Sequence, residues 1–454
     1  MPQRSPPSPP TSTPASIPQA PRLGVVMRFS PTAAAAGIKQ LESGGLRVAS
    51  SRDFKKAAAI PSNFGGADVQ YFERFGIAIV RQSSERLKPM LQKAIEQKVV
   101  HATRAERVYH ALGMSGISRA GPGASAEFSS AASSEWSRDY MRGYRDGIDQ
   151  LVERMLSNED SQGVQVNKKF DESMSTWGLE VTKVTSSTLS GAGIKVAVLD
   201  TGFDDKHPDF MGRLVTKKLF ASNSLEDDVH GHGTHCIGTA CGPLRPGSGP
   251  RFGVAYEAEI YAGKVLGDDG FGTDRSIIAG LDWALDQGCQ IISMSLGAAT
   301  NIGDQPVDDY EQIGQVCLDA GTLVVAASGN ESARPGRVNP VGSPANASTI
   351  LAVAAIDRSL RVAEFSCGGI NPGQEVDIAA PGVDVLSTLP GGAFDRWNGT
   401  SMATPHVAGI AALLAQSDAK YRGWTLWARL LQLARPLRQP ARDVGKGLVQ
   451  TPAR

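Results

Sequence analysis

The sequence predicts an α/β fold in which a mostly parallel sheet is covered by helices on both faces. From about residue 174, short apolar runs alternate with helix-like segments, and glycine supplies 50 of 454 residues, as expected for a loop-rich fold. A helix that begins after Thr273 and ends at Gly288 connects two of the predicted strands. The strand candidates are Ile194–Leu199, Ile260–Leu266, Gln290–Leu296, Thr322–Ala327 and Ile350–Ala354.

A smaller α+β domain is expected over residues 22–115, before this unit. Its predicted order is β-α-β-β-α-β, because short alternating apolar runs flank two segments with helical periodicity. The predicted elements are Leu23–Phe29, Thr32–Leu41, Val69–Phe75, Ile77–Arg81, Ser84–Gln97 and Val99–Tyr109.

The remaining segments are predicted to be a tail and a connection. Residues 1–21 contain eight prolines and are expected to be disordered. Residues 116–173 are expected to hold a Gly-, Ala- and Ser-rich linker followed by an amphipathic helix from Trp136 to Met155. That helix is interpreted as docking on a neighbouring core, with a partner-binding helix as the alternative. The main domain would then cover residues 174–454.

Charge and hydropathy indicate which partners to expect. Lys plus Arg and Asp plus Glu each total 46, so neither nucleic acid nor a membrane surface is expected as a partner. The longest apolar run, Val407–Ala415, is far shorter than the roughly 20 residues that span a bilayer. The balanced total conceals a difference between the two units. Residues 22–115 hold 15 basic and 7 acidic side chains, and residues 171–454 hold 23 and 31, which predicts that the two units meet.

The cysteine pattern and the N-terminus bear on the cellular compartment. All five cysteines lie in the second unit, their number is odd, and no spacing resembles a disulfide framework. The Pro-rich N-terminus has no apolar core of the kind found in signal peptides. We therefore expect a cytoplasmic protein, or one exported by a route that the sequence does not reveal.

Four side chains with complementary chemistry follow predicted strands or begin predicted helices. Asp200 comes directly after a buried strand in VAVLDTG, and His232 lies in HGHGTH before a helix of small residues. Asn330 follows a strand in AASGN, and Ser401 begins the helical run GTSMATPHVAG. Acyl transfer needs a nucleophile, a base, a group that orients the base and an oxyanion donor. These four residues provide one group for each requirement.

The three sequence boxes, in the order Asp, His, Ser, resemble those of the subtilisin-like serine peptidases over about residues 174–452. The resemblance implies a three-layer sandwich with a mostly parallel sheet. It also implies that Ser401 is the nucleophile, that His232 is the general base and that Asp200 orients the imidazole. The Asn330 side-chain amide would hold the oxyanion together with the backbone N–H of Ser401.

The same resemblance implies a substrate groove. Gly270, Phe271 and Gly272 match one edge of it, and Ser295, Leu296 and Gly297 match the other, so that an extended peptide would lie between two strands. Gly272 and Gly297 would let another backbone come close. Gly342 matches a wall of the pocket for the residue before the cut. These walls bring no charge, which predicts a large apolar residue at that position. Acidic residues near Asp268–Asp274 would favour basic flanking residues.

Other interpretations of the polar residues were weighed against this one. The residues His230, His232, His235, Cys236 and Cys241 could form a zinc cluster, but they would crowd a tetrahedral site along one helix start. Cys236 is expected to be a buried thiol beneath the histidine rather than a redox switch, and His406 a structural histidine. The acid pairs Asp204-Asp205 and Asp227-Asp228 are expected to be solvated loop charges.

Metal and cofactor requirements follow from the resemblance as well. Many members of the family hold calcium through an aspartate soon after the catalytic one, and Asp209 matches that residue. The loop 242–251 contains no Asp, Glu, Asn or Gln, whereas calcium needs six to eight oxygens. No required cofactor is expected, and Asp209 remains a weak calcium candidate.

The sequence predicts a serine endopeptidase that cuts protein or peptide substrates through an acyl-enzyme. The alternative is a catalytically silent subtilisin-like scaffold that binds peptides. Residues 22–115 resemble the subtilisin propeptide, which implies an intramolecular inhibitor and folding partner. Its cleavage is expected after about Tyr109–Leu112 or in the linker 113–135, with a permanently attached domain as the alternative.

Overall fold

The computed structural model describes residues 23–30, 33–54, 66–81, 96, 99–115, 170–222 and 224–452. The predicted tail (1–21), linker (116–135) and amphipathic helix (136–156) lie outside the described residues. So does the predicted helix 84–97, apart from Glu96, which is helical. Among the described residues, no helix is both long and apolar enough to cross a bilayer.

The N-terminal unit is a five-stranded sheet with a helix between its first two strands. Its elements are β1 (Val25–Phe29), α1 (Ala34–Ser43), β2 (Val48–Ser50), β3 (Val69–Phe72), β4 (Ile77–Val80) and β5 (Val100–Ala105). The strand order is β2-β3-β4-β1-β5. Strand β1 is antiparallel to β4 and β5, and β2 is parallel to β3.

This sheet buries both of its faces, because successive side chains of a strand point to opposite sides. Met27 and Phe29 pack with Leu41 of α1 in a small separate core. Val26 and Ile79 point the other way and join the main core, which is formed chiefly by the C-terminal unit. The N-terminal unit is therefore packed against the rest of the chain through one face of its sheet.

The predicted final strand, Val99–Tyr109, is two strands in the structure. After β5 the chain bends at Glu106 and Arg107, and Val108–Ala111 forms a second strand, β6, outside the N-terminal sheet. Glu106 holds the bend, because its carboxylate accepts hydrogen bonds from the backbone of Gly24 at 2.8 Å and of Arg275 at 3.2 Å. A further short strand, β7 (Met114–Ser115), follows.

The C-terminal unit contains the predicted parallel sheet. Its strands are β8 (Lys195–Asp200), β9 (Val215–Leu219), β10 (Glu259–Lys264), β11 (Phe271–Thr273), β12 (Ile291–Met294), β13 (Leu296–Gly297), β14 (Leu323–Ala327), β15 (Leu351–Ile356), β16 (Ile378–Pro381), β17 (Val385–Leu389) and β18 (Ala393–Asn398). Seven of them form one sheet in the order β16-β15-β14-β12-β8-β10-β9, and every neighbouring pair is parallel. The α/β prediction is confirmed, and β9 and β16 are strands that it missed.

Several helices accompany this sheet, and two of them place His232 and Ser401 in their first turns. These helices are α2 (Trp177–Val181), α3 (His232–Cys241), α4 (Asp274–Asp286), α5 (Asp308–Asp319), α6 (Thr400–Ser417), α7 (Gly423–Leu433) and α8 (Ala441–Val444). Helix α4 begins after Thr273, as predicted. Helix α6 is apolar almost all round and is buried along nearly its whole length, as expected for a helix in the centre of a domain.

Candidate active site

A carboxylate and an imidazole meet at the end of the central strand β8. Asp200 is the last residue of β8, and its Oδ1 lies 2.7 Å from His232 Nδ1. Both side chains are fully buried, and Asp200 Oδ1 also accepts the backbone N–H of Thr201 at 2.7 Å. Although burial disfavours the charged imidazole, the Asp200 carboxylate raises the pKa of His232 above its usual range.

His232 begins helix α3, and a thiol lies one turn further along that helix. Gly231 precedes it with a φ of 94°, a left-handed conformation that glycine adopts without strain. Cys236 Sγ lies 3.9 Å from His232 Nδ1 and 3.6 Å from the carbonyl oxygen of Ser401. The predicted buried thiol beneath the histidine is confirmed, and burial raises its pKa. It is therefore a protonated, water-shielded group.

One of the predicted solvated charges is buried, so that prediction is wrong for Asp228. This carboxylate accepts hydrogen bonds from Thr201 Oγ1 at 2.9 Å, the backbone of Gly231 at 2.9 Å, and both the backbone and hydroxyl of Thr234. It thus satisfies N–H groups at the start of α3 and ties the strand that bears Asp200 to the helix that bears His232. Its pair neighbour Asp227 contacts Lys206 and remains partly exposed.

Ser401 is the second residue of helix α6 and lies against strand β12. Its Oγ donates to the carbonyl oxygen of Ser295 at 2.8 Å, and the Ser295 hydroxyl donates back to the Ser401 carbonyl at 2.9 Å. His232 Nε2 is buried and has no hydrogen-bond partner among the described residues. The serine hydroxyl is therefore turned toward Ser295 and not toward the imidazole.

Asn330 lies beside the start of α6, and its amide group is fixed by the residue before Ser401. Its Oδ1 accepts hydrogen bonds from the backbone N–H and the hydroxyl of Thr400, at 2.9 and 2.8 Å. This leaves Nδ2 to donate to the carbonyl oxygen of Leu112. Thr400 is a positioning residue that the sequence analysis missed. A hydroxyl next to the nucleophile at a helix start was the available signal.

Strand β6 of the N-terminal unit lies between the two predicted edges of the groove. It pairs antiparallel with β11 on one side and with β13 on the other. Ala111 donates to the carbonyl oxygen of Gly270 at 3.1 Å, and Leu112 donates to that of Ser295 at 3.2 Å. These are the backbone hydrogen bonds of an extended peptide added between two strands. Phe271 and Leu296 also lie opposite this strand.

Three of the four groove glycines are confined in different ways. A Cβ on Gly297 would lie 2.8 Å from Leu112 Cδ1, so this glycine makes room for the incoming side chain. A Cβ on Gly272 would lie 2.5 Å from the carbonyl oxygen of Val265, and a Cβ on Gly342 3.0 Å from that of Ala298. Gly272 pairs with Tyr109 of β6, so the incoming backbone lies beside it, while its Cβ position is closed by its own domain.

The chain continues past the site toward strand β18. A Cβ on Gly113 would lie 2.6 Å from His232 Cδ2 and 2.8 Å from its Nε2, so the backbone of this residue touches the imidazole. Met114 and Ser115 then pair with Asn398 and Trp397. The peptide bond between Leu112 and Gly113 therefore lies between Asn330 and His232, with backbone pairing on both sides.

The calcium candidate Asp209 does not fit a calcium ion. Its Oδ1 accepts the backbone N–H of Gly247 at 2.7 Å, and its Oδ2 is buried without a partner among the described residues. One free carboxylate oxygen falls short of the six to eight that calcium needs, and loop 242–251 adds no carboxylate or amide side chain.

The zinc alternative receives little geometric support. Of its five residues, His232 and Cys236 hold donor atoms within 4.8 Å of each other and of Asp200, in the part of the chain that the structure describes. His235 instead bonds the carbonyl oxygen of Val385 at 3.1 Å. His406 bonds the carbonyl of Met402 at 2.8 Å and is a structural residue, as expected.

Comparison with known proteins gives a consistent picture. The sequence profile described as the subtilase family matches residues 191–447. The Intracellular serine protease of Paenibacillus polymyxa is 38% identical over 269 residues, which cover 57% of this chain and 79% of that protein. Subtilisin BL of Lederbergia lenta is 41% identical over 248 residues, 54% of this chain and 86% of that protein.

A longer relative is covered less completely. Subtilisin E of Bacillus subtilis (strain 168) is 40% identical over 240 residues, which cover 53% of this chain and 59% of that protein. In each case the match covers little more than half of this chain, and the family profile lies within the C-terminal unit. On these grounds the chain belongs to the subtilase family and is a subtilisin-like serine endopeptidase.

Proposed function

We propose that Ser401, His232 and Asp200 are the catalytic triad of this peptidase and that Asn330 donates to the oxyanion. The observation that carries this proposal is the position of the Leu112–Gly113 bond. The Leu112 carbonyl accepts a hydrogen bond from Asn330, and the backbone of Gly113 lies against His232. A peptide bond in that position is held as a substrate of an acyl-transfer site would be.

The chemistry begins with a rotation of the serine side chain. Ser401 Oγ turns from the Ser295 carbonyl to His232 Nε2 and attacks the carbonyl carbon of Leu112, while the imidazole takes its proton. Asp200 stabilises the imidazolium, and Asn330 stabilises the developing oxyanion. The imidazolium then gives its proton to the nitrogen of Gly113, which leaves. Water hydrolyses the ester between Ser401 and Leu112 by the reverse sequence of proton transfers.

We further propose that residues 22–112 act as an intramolecular inhibitor until they are released. The support is that β6 fills the groove in the manner of a substrate, and that His232 and Ser401 are fully buried while it does so. The product of the cut keeps β6 paired with β11 and β13, so it inhibits until the N-terminal unit leaves. The catalytic unit would then begin at Gly113.

Complementary charges support this docking. Arginines of the basic N-terminal unit form ion pairs with aspartates of α4 and α5. The pairs are Arg28–Asp308 at 2.8 Å, Arg74–Asp282 at 3.0 Å and Arg104–Asp274 at 2.6 Å. The pairs agree with the opposite net charges of the two units and would speed association at low salt.

The occupied groove also suggests the substrate preference. The side chain of Leu112, the residue before the bond, packs against Gly297. This contact supports a preference for a large apolar residue at the position before the cut. We propose protein and peptide substrates, hydrolysis without an organic cofactor or a required metal, and action in the cytoplasm. The relative named Intracellular serine protease supports the last point.

Labelling by a fluorophosphonate tests the proposed nucleophile. The wild-type chain is expected to be labelled and to hydrolyse peptides, and Ser401→Ala to do neither beyond the residual rate of the oxyanion site. Ser417→Ala, at the other end of the same helix, is the matched control and is expected to behave as wild type. Undiminished hydrolysis by Ser401→Ala would refute the proposed triad, and an inert wild type would favour the silent peptide-binding scaffold.

A further inference from the structure

Tyr109, the fourth residue before the Leu112–Gly113 bond, places its hydroxyl on a buried carboxylate. The Tyr109 side chain is fully buried, and its hydroxyl donates to Asp274 Oδ1 at 3.1 Å. Tyr310 donates to the same oxygen at 3.0 Å. Burial raises the pKa of both phenols, so they are protonated donors. The pocket for this residue therefore ends in an acceptor rather than in apolar side chains alone.

A guanidinium from elsewhere in the N-terminal unit completes this pocket. Arg104, in β5, donates to Asp274 Oδ2 at 2.6 Å and Oδ1 at 3.0 Å through its two terminal nitrogens. Its Nε donates to Asp309 Oδ2 at 2.7 Å. Both aspartates are buried, so the guanidinium neutralises two carboxylates that water does not reach while the units are docked.

Release of the N-terminal unit would remove every hydrogen-bond donor to the Asp274 carboxylate that this unit supplies. Arg104, Tyr109 and the backbone N–H of Arg107, which donates to Asp274 at 2.6 Å, leave together. Of the groups that bond Asp274 side-chain oxygens among the described residues, Tyr310 remains. A carboxylate stripped of a cation and two further donors then lies at the end of the pocket, with Asp309 beside it.

We propose that Asp274, held by Tyr310, determines specificity for the fourth residue before the cut and selects arginine, lysine or tyrosine over phenylalanine and leucine. The inference rests on the proposed function, because it takes Leu112 as the residue before the bond. A site built around a hydrogen-bond acceptor rejects a side chain that leaves the acceptor unpaired. A cationic side chain would restore the charge balance that Arg104 supplies in the docked chain.

A purely structural role for Asp274 makes a different prediction. Asp274 is the first residue of α4, where a carboxylate stabilises the N-terminus of a helix whatever the substrate. In that case, its replacement would lower stability or the rate on all substrates equally. A change in the ratio of rates between substrates would not follow.

Peptides with the sequence of residues 108–115 test this inference in the wild-type chain. Position 109 is arginine, tyrosine, phenylalanine or leucine, and Ser401→Ala provides the blank. We expect kcat/KM for the arginine and tyrosine peptides to exceed that for phenylalanine and leucine by about tenfold or more. Asp274→Ala, which removes the acceptor, is expected to reduce this ratio to near one, while Asp319→Ala, at an exposed aspartate at the end of α5, should leave it unchanged. Equal or faster cleavage of the phenylalanine peptide by wild type would overturn the inference.

A measurement that needs no catalysis separates this inference from the proposed function. In the full-length Ser401→Ala chain, Tyr109→Phe, Asp274→Ala and both together form a double-mutant cycle in the unfolding equilibrium. We expect Tyr109→Phe to shift this equilibrium several-fold with Asp274 present and much less with alanine there. Additive effects would overturn the inference. If no peptide is cleaved above the blank, the proposed function fails. The coupling between Tyr109 and Asp274 in the unfolding equilibrium still shows whether the pocket favours a hydrogen-bond donor.

Discussion

The side-chain amide of Asn330 donates a hydrogen bond to the backbone carbonyl of Leu112, a residue that lies 218 positions earlier in the chain. Thr400 orients the amide by donating to its oxygen twice. The contact holds the Leu112–Gly113 peptide bond in the groove, beside the start of helix α6. The predictions that follow depend on this alignment.

Removing the amide is expected to slow the chemistry more than it weakens binding. In Asn330→Ala we expect kcat to fall on the order of 10²–10³-fold, the effect of removing one oxyanion donor from subtilisin. KM should change little, because an oxyanion donor acts mainly on the transition state. Steady-state kinetics on a peptide substrate measure both. A rise in KM at unchanged kcat would contradict the oxyanion role.

A β-branched side chain at position 113 is expected to prevent self-cleavage. A Cβ there would lie 2.6 Å from the His232 ring, so Gly113→Val must displace the imidazole or the scissile bond. Full-length Gly113→Val should remain uncut over a time in which wild type is processed, as followed by gel electrophoresis. Gly336→Ala, at a glycine whose Cβ would meet its nearest atom at 3.6 Å, is the control and should be processed normally. Processing of Gly113→Val at the wild-type rate would place the scissile bond elsewhere.

The buried arginine of the docking surface is expected to matter more than the one at its rim. Arg104→Met leaves Asp274 buried without a cation and Asp309 with only Arg28, 4.0 Å away, which should lower the free energy of unfolding by about 3 kcal/mol or more. Arg74 is one-third exposed, so water screens its pair with the buried Asp282, and Arg74→Ala should cost less than Arg104→Met. Denaturant unfolding of both variants in the full-length Ser401→Ala background makes the comparison. An Arg74→Ala effect as large as that of Arg104→Met would refute the buried-charge argument.

Activity and stability are expected to be nearly independent of calcium. Asp209 offers one free oxygen, so any calcium bound there is weak and stabilises little. A chelator should lower the thermal midpoint by only about 1 °C. Asp209→Asn is the control and should show the same small response. A chelator-induced loss of activity in wild type alone would reveal a calcium site that includes Asp209.

The sequence was sufficient to predict the five interior strands of the seven-stranded sheet. Those strands, such as β14, are continuous apolar runs between turn residues. Strand β9, at the edge of the sheet, was missed because Val215–Leu219 contains two lysines and reads as a polar connection. Strand β16 was missed because it is four residues long and ends in proline. These two edge strands form because a neighbouring strand pairs with them, and their own hydrophobic pattern does not indicate a strand.

The candidate site was predictable at residues whose side-chain type and sequence context indicate a chemical role, such as Asp200, His232 and Ser401. Asp228 was misjudged because an acid pair in a polar loop resembles solvated charge. Its position a few residues before a helix start was the available sign of a capping carboxylate. The bend at Glu106 was not predictable from the sequence. The chain leaves the N-terminal sheet there because β6 pairs with the two edges of the groove, β11 and β13. That edge pairing is a property of the folded pair of units.

The most direct test of this account is the N-terminal sequence of the full-length chain after purification, for wild type and for Ser401→Ala. We predict that wild type yields a new N-terminus at Gly113, beginning Gly-Met-Ser, and that Ser401→Ala keeps residues 1–112 attached. An intact wild-type chain that is fully active on peptides would contradict the account. The same new N-terminus in Ser401→Ala would also contradict it, because another group would then have cut the bond.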